Sequence, residues 1–186
     1  MFTGLVETTG TVAALARHER TARHLSDLGH QNVAAVMSLA QTTEVLVMLV
    51  LARLLARARL KWIFLSGIAL GVIRYAFMAF DSSPWVIVSI VMHGLAYTLY
   101  FITTQIYLED RIDPKWRVRA QSLLTLLMGG VGNLLGYLGG GWWYHACRNH
   151  AHGGTDWSRF WWGETLLTAA VCLLFVFTYR GKKALR

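Results

Sequence analysis

Five apolar runs, at 33–54, 62–80, 84–108, 118–144 and 160–179, alternate with short polar segments along this chain. Each is at or near the ~20 residues that a helix needs to cross a bilayer at ~1.5 Å per residue. Strands of a membrane barrel would instead alternate polar and apolar positions over ~10 residues, and none of these runs does so. The pattern predicts an all-α, polytopic membrane domain over 31–186 with five transmembrane helices. The polar segment 1–30, rich in Arg, His, Glu and Asp, predicts a solvated loop or a short interfacial helix.

Inside the runs the exceptions are informative. Asp81-Ser-Ser-Pro84 separates the second and third runs, and Pro84 suits a helix start, so these two form a tight hairpin. In the fourth run Gly132, Gly136 and Gly140 stand four apart, a small-residue ridge on which another helix can pack closely. Trp142, Trp143, Trp157, Trp161 and Trp162 gather where the fourth and fifth runs end, as an interfacial aromatic belt does. Three ionisable residues interrupt the apolar interior: Glu44, Arg74 and His93. Such residues cost at least ~2.5–3.5 kcal/mol at mid-membrane and mark functional pathways by default.

Composition sharpens this reading. Of 186 residues, 55% are hydrophobic and only 15% charged, where a soluble domain carries about a quarter. The net charge of +8 is placed in patches: Arg53, Arg57, Arg59 and Lys61; Arg111, Lys115, Arg117 and Arg119; Arg180, Lys182, Lys183 and Arg186. The intervening connections carry only Arg148 and Arg159. That alternation puts the three basic segments, C-terminus included, in the cytoplasm and argues against nucleic acid as partner. No nucleophile elbow, phosphate loop, HExxH or CxxC motif occurs, so neither an enzyme nor a cofactor is expected. His145, Cys147, His150 and His152 match no zinc spacing, and Cys147 and Cys172 lie too far apart in depth to pair.

Depth and face unite the polar residues. Glu44, Arg74 and His93 lie roughly 9–15 Å below the same end of their helices. Ser38, Gln41 and Glu44 recur at three-residue steps on one face; His93, Tyr97, Phe101 and Thr104 line one face of the third run. An amide and a carboxylate opposite two rings suit a flat polar solute, stacked on Tyr97 and Phe101 and hydrogen-bonded by Gln41 and Glu44. Glu44 is the natural proton carrier unless Arg74 holds it ionised, with His93 as a second candidate. An ion pair that only fixes helix packing is the structural alternative.

The strings Ser38-Leu-Ala-Gln41-Thr-Thr-Glu44, Ile73-Arg74-Tyr75, His93-Gly94-Leu-Ala-Tyr97, Gln105-Ile-Tyr107 and Arg119-Ala-Gln121-Ser-Leu-Leu-Thr125 resemble the nucleoside:proton symporter family of the major facilitator superfamily. The likeness runs in order from about residue 31 onward and corresponds to the last five of that family's twelve spans. It implies a partial major facilitator fold in the cell inner membrane. Gln41, Glu44, Tyr97 and Phe101 would contact nucleoside, and Glu44, with Arg74 and His93, would couple protons. It also implies that the chain is a truncated reading frame or works with a polypeptide bearing the other spans. An inert remnant, or a helix-packing partner of another membrane protein, is the rival expectation.

Overall fold

The computed structural model describes residues 19–148 and 154–178. A short helix, α1, covers 19–27, and five long helices follow: α2 (Val33–Arg57), α3 (Leu60–Ala79), α4 (Ser83–Arg111), α5 (Pro114–Ala146) and α6 (Trp157–Thr178). All five are long and apolar enough to span a bilayer. Among the described residues there is no strand, only an isolated bridge between Arg148 and Thr155. Helices suit this setting because they satisfy their backbone groups internally, where lipid offers no partners.

Local chemistry fixes the helix ends. The Asn32 side chain accepts from the Ala35 amide to start α2, and Pro84 stands in the first turn of α4. Asp113 caps the start of α5 through the Lys115 amide, 3.1 Å away, and Asp156 does the same for α6 through the Arg159 amide at 2.9 Å. The α3–α4 turn passes through Asp81 at φ 50°, a left-handed conformation that Asp tolerates better than most residues.

Helix α3 packs between α4 and α6, and α2 lies against α4 on the far side. Two glycines allow the close crossings. A Cβ on Gly94 of α4 would lie 2.3 Å from the Ala40 carbonyl oxygen and 2.7 Å from the Glu44 amide nitrogen of α2. A Cβ on Gly67 of α3 would meet the Tyr100 nitrogen at 3.0 Å. Two apolar clusters form the core. One gathers Leu25, Ala40, Met78, Val86, Ile90, Phe160 and their neighbours; the other gathers Leu51, Ile63 and Leu99. The level between them contains Glu44, Arg74 and His93, so the polar residues occupy a layer sandwiched by apolar ones.

Three features differ from the sequence pattern. Helix α4 is not regular: Thr98–Ile102 is a π turn, and Leu126–Gly132 is another in α5. Among the described residues, no other helix lies along the glycine ridge. Gly132 and Gly136 are exposed, the central stretch of α5 is unburied, and only Gly140 is covered, by the Arg20 guanidinium. Finally, 19–27 is a helix with a buried face, since His24 and Leu25 are both fully enclosed.

Candidate functional site

The site assembles where α2 crosses α4. Because Gly94 lets the α2 backbone descend onto α4, the Ala40–Glu44 stretch of α2, with Gln41 in it, crosses α4 at mid-span. Glu44 is half-buried and lies within electrostatic range of the Tyr97 hydroxyl, and Gln41 is exposed. The hydroxyls along α2 turn back on their own helix: Ser38 donates to the Ala35 carbonyl, Thr42 to Ser38 and Thr43 to Leu39. Gln41 and Glu44 do not, and among the described residues neither has a hydrogen-bond partner. An acid and an amide at mid-membrane are thus presented on the open side of α2. Lipid cannot solvate them, so that side must face a water-filled cavity or more protein.

Across from them stands a ladder of rings. His93 and Tyr97 lie 6.2 Å apart between centroids, and Tyr97 and Phe101 stack at 4.9 Å with planes 19° apart. Phe101 sits within the π turn. The extra residue of that turn moves Thr103, not Thr104, to the buried face, where its hydroxyl reaches the Thr98 carbonyl at 3.4 Å. Thr104 instead donates to Tyr100 at 2.6 Å. The aromatic pair therefore holds its predicted face, but Thr104 leaves it.

Arg74 is buried between α3 and α4, 8% exposed, with Nη1 2.7 Å from His93 Nδ1. A guanidinium only donates, so Nδ1 accepts and the imidazole carries its proton on Nε2. The guanidinium also lies over the Tyr75 ring at 4.8 Å. A hydrogen bond of Arg74 across α3 and α4 thus goes to His93. Sequence reasoning brought these residues to one level but missed Gly94 as the residue that joins the helices. Its signal was available only as a small residue beside an intramembrane histidine.

Of the loose histidine group, Cys147 is buried at the end of α5, and His150 and His152 lie outside the described residues, as does the basic tail from 180 onward. Among the described residues no three potential metal ligands come together.

Five helices long and apolar enough to span a bilayer, close-packed through glycines around a mid-span layer of acid, amide, guanidinium and stacked rings, define a polytopic membrane protein. The family is shown by the match of residues 13–184 to the nucleoside H+ symporter model, and the chain belongs to that family. It is similar to the Escherichia coli K12 protein YegT, 30% identical over 84% of this chain and 39% of that protein. Nucleoside permease NupG from the same organism is 25% identical over 80% of this chain and 35% of its own length. The crystal structure of nucleoside transporter NupG superposes with a TM-score of 0.74 at 19% identity, over 96% of this chain and 48% of that one. These family and structural neighbours are transporters rather than enzymes, and the chain spans about two-fifths of the length of the curated relatives it matches.

Proposed function

We propose that this region forms one wall of a proton-coupled nucleoside pathway. The observation that carries the reading is the pairing of Gln41 and Glu44, mid-span and without a hydrogen-bond partner among the described residues, with the Tyr97–Phe101 stack. Rings of a base stack on Tyr97 and Phe101, and Gln41 and Glu44 hydrogen-bond the ribose hydroxyls or ring nitrogens. Glu44 takes up and releases the coupled proton. Arg74 and His93 hold each other and fix the α3–α4 wall behind the stack, with His93 Nε2 the next group able to exchange a proton. Facilitator sites lie between two helical halves that rock about the bound solute. The open side of α2 is, in this reading, the surface that meets the other half. The alternation of basic and nearly uncharged connections supports a multi-pass arrangement in the cell inner membrane with the C-terminus in the cytoplasm.

A chimera tests this directly, with these residues replacing the matching region of NupG. In uptake-deficient cells it should accumulate labelled uridine, and a protonophore should collapse the accumulation. A chimera that reaches the membrane at normal level yet moves no uridine, adenosine or xanthosine would refute nucleoside as the solute class.

A further inference from the structure

Outside the membrane-level site, α1 builds a second, unrelated polar constellation at the opposite end of the bundle from the basic connections. His24 is fully enclosed, its ring stacked on Trp157 at 4.9 Å and 17° and lying 6.1 Å from Trp161. Both ring nitrogens are used. Trp161 Nε1 donates to Nδ1 at 2.9 Å, so the single ring proton is on Nε2, facing Asp81 Oδ1 at 2.7 Å. Neighbouring bonds extend the attachment. Trp157 Nε1 donates to Asp27 at 2.8 Å, His30 bonds Ser83 at 2.6 Å, and Arg20 covers Gly140 and faces the Phe160 ring at 5.8 Å. Arg23 pairs with Glu19 and lies within electrostatic reach of Tyr144. About two and a half turns of helix therefore tie together the α3–α4 turn, the end of α5 and the start of α6.

We propose that α1 is a pH-sensitive clip, closed while His24 is neutral and released when a second proton reaches Nδ1. A protonated Nδ1 would point N–H at N–H, so Trp161 loses its acceptor and an imidazolium is left between two indoles. The charged and titratable groups around His24 are Asp81 from the α3–α4 turn, and Asp27, Arg20, Arg23 and Glu19 from α1 itself. Helix α6 presents the neutral indoles of Trp157 and Trp161, α3 contributes Tyr75 stacked on Trp161, and α5 contributes Tyr144 against Trp157. Burial disfavours the charged ring more than Asp81 and Asp27 favour it, so His24 titrates below its ordinary value. A base shifted this way contributes full stability above about pH 6.5 and loses it as pH falls through the window below. Release also frees Trp161, which walls Tyr75 and, through it, the Arg74 guanidinium.

The test uses the full chain in lipid nanodiscs, with Cys147→Ala and Cys172→Ala removing background thiols. Leu25→Cys reports a side chain enclosed by the clip, and Ser26→Cys an exposed neighbour, each labelled by maleimide. Taking the ratio of the two rates at each pH cancels the pH dependence of the thiol reaction. The ratio should be low at pH 7.5 and rise at least about tenfold by pH 5.0. His24→Gln, whose amide can still donate to Asp81, should keep the ratio low throughout. A flat ratio in the parent, or an undiminished rise in His24→Gln, overturns the proposal. If His24→Gln is labelled freely at every pH, Asp81→Asn decides instead. Loss of the countercharge should move the opening midpoint to lower pH, and an unmoved midpoint overturns the clip.

Discussion

Glu44 and Gly94 show how much turns on single side chains. In the chimera, Glu44→Gln keeps size and hydrogen-bonding capacity but removes the proton carrier, so pH-driven uridine accumulation should fall to background while gradient-free exchange survives. Accumulation that persists would make Glu44 a structural acid and transfer the coupling role to His93. Gly94→Val puts methyl groups where the Ala40 carbonyl oxygen and Glu44 amide nitrogen already crowd even a Cβ, at 2.3 and 2.7 Å. Overpacking of this kind costs roughly 1–3 kcal/mol. It should lower the thermal stability of the purified protein and separate Gln41 and Glu44 from the ring ladder, with Gly94→Ala intermediate. The residues of the site were legible in the sequence because ionisable groups in apolar runs stand out without any knowledge of contacts. Their partners were not. Which of two acceptors Arg74 takes depends on helix rotation, and the α2–α4 crossing depends on a glycine that no periodicity singles out.

At the scale of elements, the five runs gave helices whose ends fall close to those expected, since spanning length and turn chemistry are local signals. The π turns were not legible. They widen a helix by one residue without altering its composition, and the pressure that accompanies the one in α4, Gly67 against Leu99 and Tyr100, is a tertiary contact. A short helix was one of two expectations for 1–30, but the buried face of α1 escaped for a similar reason: its polar composition reads as solvated until Trp157, Trp161 and Asp81 are seen to absorb it. The orientation of the elements is testable by itself. Reporter fusions after Lys61, Ser83, Lys115 and Thr155 should read inside, outside, inside, outside, as the basic connections require. Two successive fusions on one side would break that topology.

For the molecule as a whole, the open polar side of α2 has a plain consequence. These 186 residues expressed alone in uptake-deficient cells should give uridine uptake no greater than the empty vector, because the pathway has one wall only. Uptake well above that level would mean that copies of the chain assemble the missing side. The layered core has an electrical consequence as well. Glu44 lies between an apolar cluster at either end of the bundle, so most of the transmembrane voltage drops across those two insulating layers. A proton arriving at Glu44 from one surface has crossed roughly half the field, or about 1 kcal/mol per 100 mV. Proton delivery and proton release would then each carry part of the charge movement. A solute-jump current recorded on a supported membrane should show two electrogenic phases of the chimera, and Glu44→Gln should silence both.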